Sequence, residues 1–571
     1  MLSDPLDNRR QTGAGFLLDG PGAAMEVLVP PPLRADAASA WRRHARALCD
    51  ALGWADSVLA VREFPRGLSL ALSSPVDRLY TATEANAAAW RLARAELDET
   101  DAPDVDAEAD RLRRQSADEA DPALAALVGE AQARGVALVW DDDAVTVGLG
   151  TGGRTFAPDA LPDPETFDWG SVSAVPTALV TGTNGKSTTV RMLAGMARAG
   201  GETVGTCSTD AVIVGGEVVE RGDFSGPLGA RAVMRDRRVT MAVLETARGG
   251  LLRRGVPVPR VTAAALTNIA ADHLGDYGVD TVRDLADAKL VIAKALGPGG
   301  VLVAPADEPD ARAGVVRQLE ALAERGVTVA WTALDPDAQA PGPLAASVVG
   351  GQIARREPAP AQAGGDGWQA ICPVEDIPAS LGGAARHVVR NALTATALAR
   401  ALGLADGAIA DGLRAFRSDP DDNPGRANRF TVNGATVVID YAHNPHGLRA
   451  LADLSAHWDA RRRLVLFGSA GDRSDRDLGL MADVITTFGA ERYLVSDIPG
   501  YLRGRQPGEV PSVLAEHYRQ RGVAGDAIVT LADPVAAARW ALDWCRPGDL
   551  AVLITLDQRD QVLDLVRAAA G

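Results

Sequence analysis

Hydrophobic and polar positions along this chain follow two rhythms. Short apolar runs alternate with longer stretches in which apolar residues recur every third or fourth place; the runs predict strands and the longer stretches helices. Near the start, Ala24-Met25-Glu26-Val27-Leu28-Val29 predicts a strand, closed by Pro30-Pro31-Pro32. Residues 37–52 predict a helix with Trp41, Leu48 and Leu52 on one side. Leu68-Ser69-Leu70-Ala71-Leu72 alternates like a half-buried strand, and residues 83–97 predict a second helix. Residues 98–121, dense in Asp, Glu and Arg, read as a solvated helix or linker. From residue 175 the order becomes strand, loop, helix, repeated, through Ala178-Leu179-Val180, Val239-Thr240-Met241-Ala242-Val243-Leu244, residues 261–266 and Val301-Leu302-Val303-Ala304. That alternation predicts a mostly parallel sheet covered on both faces. Residues 341–367, rich in Pro, Gly and Ala, read as surface connections. A second alternating unit follows, with strands at Val437-Val438-Ile439, Leu464-Val465-Leu466-Phe467 and Val495-Ser496-Asp497.

The predicted architecture is α/β and multidomain. A small N-terminal α/β domain spans 1–150 and a linker 151–174. A central parallel-sheet domain spans 175–416 and a C-terminal Rossmann-like α/β domain 417–571. Ligands of parallel sheets bind beyond the carboxyl ends of the strands, so the polar residues there carry the chemistry.

The first such end is Thr181-Gly182-Thr183-Asn184-Gly185-Lys186-Ser187-Thr188-Thr189, between an apolar run and a helix start. This is a phosphate-binding loop in its proper context. Gly182 and Gly185 let the backbone curl so that N–H groups point inward, and the helix N-terminus adds partial positive charge. Lys186 reaches the terminal phosphates and Ser187 offers its hydroxyl to Mg²⁺. Val180 stands where the commoner pattern has its first glycine. A second end, Leu244-Glu245-Thr246-Ala247-Arg248-Gly249-Gly250, places a carboxylate where it suits Mg²⁺. A third, Thr267-Asn268-Ile269 followed by Asp272-His273-Leu274-Gly275, offers His273 as a second metal ligand or a phosphate contact.

The T-G-T-x-G-K-S-T loop resembles the ATP loop of the Mur ligase superfamily. The E-T-A-R-G-G and D-H-L-G segments, with Gly222-Asp223-Phe224-Ser225-Gly226-Pro227, resemble the Mur-ligase-like domain of the cyanophycin synthetases, over residues 175–571. Arg9-Arg10-Gln11-Thr12-Gly13 and a later helical hairpin resemble, loosely, the N-terminal domain of that family. The resemblance implies that Asn391, in His387-Val388-Val389-Arg390-Asn391-Ala392, contacts adenine. It implies that Arg426 reaches the ATP phosphates, and that Asp440 of Asp440-Tyr441-Ala442-His443-Asn444-Pro445 binds the nucleotide from across the cleft. Lys289 occupies the place where many Mur ligases carry a carbamylated lysine that acts as a metal ligand; read without the resemblance, it is an ordinary helix lysine paired with Asp284 or Asp287. Arg503 and Arg505 read equally as substrate contacts and as solvated loop charges, and His44 as a surface or filler histidine. The ATP-grasp domain that those synthetases carry between the two resembling parts is replaced here by the short linker.

Composition narrows the partners. A net charge of −17 argues against non-specific nucleic-acid or anionic-membrane binding. No signal peptide and no apolar run long enough to span a bilayer is visible. Cys49, Cys207, Cys372 and Cys545 are far apart, with neither metal nor disulfide spacing, and fit a reducing cytoplasm. The expectation is therefore a cytoplasmic, ATP- and Mg²⁺-dependent ligase that joins a carboxylate to an amino acid through an acyl phosphate, using an acidic or peptide acceptor. Its site residues are Thr181 to Thr188, Glu245, His273, Lys289, Asn391, Arg426 and Asp440. A Mur or folylpolyglutamate-type ligase on another acceptor, and an ATP-binding subunit without ligase activity of its own, stay open. So do a homo-oligomer and a role beside a separate cyanophycin synthetase.

Overall fold

The computed structural model describes residues 2–101, 103–356 and 367–570. The chain forms two compact units, one of residues 1–371 with 391–412, the other of 372–390 with 413–571.

At the centre of the first unit, seven strands run parallel among the described residues. Their order is Val204–Cys207, Met241–Glu245, Thr177–Thr181, Val261–Leu266, Leu296–Pro305, Thr328–Ala333 and Leu344–Val349. Every residue of Thr177–Thr181 and Met241–Glu245 is buried. Strands covered on both faces need continuous apolar runs, which is how their sequences read. Leu344–Val349 and Gln352–Arg356 form an antiparallel hairpin that extends this sheet, within the stretch read as surface connections. Residues 357–366 of that stretch lie outside the described residues. At the other edge, Ala211–Val214 and Glu217–Arg221 add an antiparallel hairpin.

The same unit carries an antiparallel four-stranded sheet in the order Asp7–Gln11, Gly22–Leu28, Gly67–Ser73, Leu59–Phe64. Helices Arg34–Ala51 and Leu79–Leu97 supply Trp41, Leu48, Trp90 and Leu92 to its core. Trp41 keeps its polar edge satisfied by donating to Asn86 Oδ1 at 3.0 Å. Val105–Glu119 is a helix, capped by Asp104. A three-stranded sheet, Leu138–Trp140, Val145–Val147 and Arg154–Phe156, closes a small core with helix Pro122–Ala133.

The second unit holds a six-stranded sheet in the order Asn428–Val432, Ala435–Asp440, Leu550–Ile554, Arg463–Phe467, Arg492–Ser496, Ile528–Leu531. All neighbours are parallel except the first pair. No helix among the described residues is long and apolar enough to cross a membrane.

Candidate active site at the end of the central sheet

Register brings the three strand ends together. Glu245 pairs with Val180, and Leu266 with Thr181. The carboxylate, the phosphate loop and Thr267-Asn268 therefore emerge at one end of the sheet. The loop between Thr181 and helix Lys186–Ala199 is tied to its neighbour strand. Thr183 N donates to Asn268 O at 3.0 Å, Asn184 N to Asn268 Oδ1 at 2.9 Å, and Asn268 Nδ2 returns a bond to Asn184 O at 2.9 Å. Thr267 Oγ1 donates to Asn184 O at 2.6 Å. Two glycines make this closeness possible. Gly182 has φ +149°, and a Cβ there would lie 1.9 Å from Thr267 Oγ1. Gly185 has φ +82°, and a Cβ there would lie 2.4 Å from Asn391 Oδ1. Asn391 thus stands against the phosphate loop, on helix Arg386–Ala401. Thr267 and Asn268 were quoted above only as a motif; their place directly after a strand neighbouring the loop was the available signal.

Glu245 is 1% exposed, and neither of its carboxylate oxygens has a hydrogen-bond partner. Lys186 Nζ stands 4.0 Å from Oε1. At that distance, with an effective dielectric of about 20, the attraction is worth roughly 4 kcal/mol. Removing a carboxylate from water costs several kcal/mol. The pair roughly breaks even and leaves the lone pairs of Glu245 unused, an environment whose donor chemistry fits a hard divalent cation. Lys186 also donates to Thr183 O at 3.2 Å, and Ser187 Oγ lies 3.4 Å from Thr209 Oγ1.

Lys289 ends helix Val282–Lys289, which begins with a capping box between Thr281 and Asp284. Its ammonium pairs with neither of the acids near it in sequence: Asp284 is held by Arg62 at 2.5 Å and Asp287 by Arg317 at 2.6 Å. Instead Lys289 is 5% exposed and donates to Gly182 O at 2.8 Å. Burial pushes its pKa well below the ordinary lysine range, and Lys186 and Arg248 add to this while Asp272 and Glu245 oppose it. Asp284 is held below the usual carboxylate range; burial opposes its ionisation, but the Thr281 hydroxyl and Arg62 outweigh burial.

His273 has φ +49°, and its Nε2 is 3.8 Å from Asp272 Oδ1. Its carbonyl accepts from Arg248, which also reaches Asp276 Oδ2 at 3.1 Å.

In the second unit, Asp440 ends strand Ala435–Asp440. Its oxygens accept from Ala427 N at 2.8 Å and Ala442 N at 2.7 Å. Burial raises its pKa against the pull of Arg426 and these N–H groups. The Arg426 guanidinium lies 4.8 Å over the Tyr441 ring. Burial and the neighbouring His446 and Arg390 push His387 down to about 4, so it is neutral near pH 7. Arg505 is engaged by Asp475 at 2.7 Å, Glu509 at 3.0 Å and two carbonyls of its neighbouring loop, and Arg503 pairs with Asp472 at 3.0 Å. His44 bonds to Glu96 at 2.9 Å.

Two family models match the chain: the Mur ligase middle domain over residues 180–399, and the Mur ligase glutamate ligase domain over 425–555. A cyanophycin synthetase from Synechocystis sp. is 34% identical over 412 residues, covering 70% of this chain and 45% of that protein. The chain thus spans less than half the length of that relative. The UDP-N-acetylmuramate–L-alanine ligase of Nocardia farcinica is 32% identical over 434 residues, covering 69% of this chain and 74% of that protein. Among solved structures, E. coli FolC in complex with ADP shares the fold, with a TM-score of 0.51 at 18% identity over 69% of this chain and 89% of that one.

Proposed function

We propose that this chain, which belongs to the Mur ligase family of ATP-dependent ligases, forms an amide bond between a substrate carboxylate and an amino acid by way of an acyl phosphate. The observation that carries the reading is the buried carboxylate of Glu245, paired with Lys186 yet without a hydrogen bond, at the mouth of the phosphate loop.

In this reading Thr181 to Thr188 cradle the ATP phosphates and Lys186 neutralises the terminal ones. Asn391 contacts the adenine. Ser187, Glu245, His273 and Lys289, the last as a carbamate, hold divalent cations, Mg²⁺ in the cell. Bound there, such a cation would offset phosphate charge and polarise the phosphoryl group. The substrate carboxylate oxygen attacks the γ-phosphorus, the bond to the β,γ-bridging oxygen breaks, and ADP leaves. An amine nitrogen then attacks the acyl carbon, the acyl C–O bond breaks, and phosphate leaves as the amine gives up a proton. Both steps bring anions together, so preorganised cations are the natural source of rate. Arg426 is a further phosphate contact, and Asp440, its oxygens taken by main-chain N–H groups, acts by setting the turn that carries Arg426.

The likeness to the cyanophycin synthetases favours an acidic or peptide acceptor. Residues 1–150, 175–416 and 417–571 would serve as N-terminal, ATP-binding and C-terminal domains. The test is a screen for ADP release across amino acids paired with acidic and peptide acceptors, with the product identified by mass. A product heavier than the acceptor by one amino acid less water supports the reading. ADP release without any such product, across the whole panel, contradicts it.

A further inference from the structure

The four-stranded N-terminal sheet reaches across to residues 270–284, the segment that follows the third strand end. Arg62 donates to Gly278 O at 2.8 Å and to Asp284 Oδ1 at 2.5 Å. Arg66 donates to the carbonyl of Gly275 and pairs with Asp280 at 3.1 Å. Arg9, itself locked in a buried pair with Glu26, donates to Leu252 O at 2.8 Å and stands 4.8 Å over the Tyr277 ring. The approach is close: a Cβ on Gly278 would lie 2.7 Å from Ser69 Oγ and 3.0 Å from Phe64 Cδ1.

Its own domain holds this segment at the His273 carbonyl and Asp276, through Arg248, and by two main-chain bonds between 275 and 279; its backbone conformation calls for further support. His273, Gly275, Tyr277 and Gly278 have φ of +49°, +103°, +55° and +68°. For the two that are not glycine the left-handed conformation costs about 1–2 kcal/mol each. Leu274 and Asp276 are exposed, and Val279 is the segment's buried apolar anchor. Arg62 and Arg66 each direct one bond to a main-chain carbonyl inside the segment and another to a carboxylate near its end, Asp284 or Asp280.

We infer that the N-terminal sheet sets the conformation of residues 272–280, and that Arg62 and Arg66 are positioning residues for ligation, acting through the Gly278 and Gly275 carbonyls on Asp272 and His273. The inference rests on the proposed role of His273 at the phosphate and cation site. Its physical content is that a loop with little core of its own is held in register by guanidinium groups, whose planar forks fix direction as well as distance.

The test uses the full chain with Arg62→Gln, Arg66→Gln, the double variant and the matching Arg→Lys changes. Hydrogen exchange read by mass spectrometry is expected to speed up at least tenfold over residues 270–281 in the double variant, with the N-terminal sheet unchanged. Mn²⁺ binding followed by EPR should weaken about tenfold. The kcat for ADP release should fall about 10–100-fold, the scale of a roughly 1 Å misplacement, while KM for ATP stays within twofold. Lysine should recover part of the loss, because an ammonium can reach one of the two acceptors. Unchanged exchange over 270–281 would overturn the inference. So would exchange that rises equally across the N-terminal sheet, which would mean that the arginines only support the fold, or a loosened loop with unaltered Mn²⁺ binding and turnover. Should the unaltered chain release no ADP with any substrate, the proposed function fails, while the exchange and Mn²⁺ measurements still decide whether the sheet sets this loop.

Discussion

Glu245 has both oxygens buried without a hydrogen bond, its burial offset by Lys186 at 4.0 Å. Glu245→Gln gives up the Lys186 attraction together with the burial cost that offsets it, so it should leave metal-free stability within about 1 kcal/mol and remove the stabilisation that Mg²⁺ or Mn²⁺ gives. Urea midpoints with and without metal check both halves. Lys186 supplies the opposite charge. Lys186→Ala should lower turnover by about 10²–10³-fold, the loss of roughly 3–4 kcal/mol of preorganised stabilisation; near-normal amide formation by the variant would remove the phosphate-loop assignment. Lys289 makes a pH prediction. Its folded-state pKa is depressed, so between that value and the ordinary lysine range the unfolded chain binds more protons. Stability then rises with pH through that window. Lys289→Met should stabilise at neutral pH, and its advantage should shrink as pH climbs towards about 10.4, as read from denaturation midpoints. If the lysine serves as a carbamate, Lys289→Ala should lose activity and regain part of it with acetate or formate, since a carboxylate can replace an oxygen ligand. Rescue by an added amine and not by carboxylates would assign Lys289 a cationic role instead.

Single elements divide into those the sequence announced and those it hid. The phosphate-loop strand was legible because the apolar run Ala178-Leu179-Val180 leads straight into Thr181-Gly182, and the structure extends it to Thr177–Thr181. Glu245 was legible as the polar residue that closes an apolar run, and Thr267 only as part of the motif that follows one. Gln352–Arg356 was hidden, because the Gly, Ala and Pro around it read as loop while the strand itself sits inside the sheet, between Leu344–Val349 and Trp368–Pro373. The burial of Lys289 was hidden too: helix spacing gives a face, but only the packed structure shows that this face meets Gly182 O. The contacts of Asn268 to both sides of Asn184 depend on strand order, which no local pattern encodes. At this scale Gly182→Ala is the clean test. A Cβ would collide with Thr267 Oγ1, so ATP binding should fall by at least tenfold while the far-UV CD spectrum is retained.

For the whole molecule, two features set expectations. The resemblance to the cyanophycin synthetases implies an ATP-grasp domain between the two resembling parts, and here residues 151–174, with strand Arg154–Phe156 among them, are all that separates those parts. Purified protein with ATP, Mg²⁺, aspartate, arginine and a primer should therefore make at most a single addition, seen by mass; a growing insoluble polymer would refute this domain reading. The other feature is the bond from Arg62 to Gly278, which joins residues 216 positions apart. Ribosomes add about 5–20 residues per second, so the second partner of this bond leaves the synthesis machinery about 10–40 s after the first. Strands pairing within residues 7–73 have that interval to form, and the strained loop emerges to meet a finished surface. Birth order thus supplies the mould before the part it shapes.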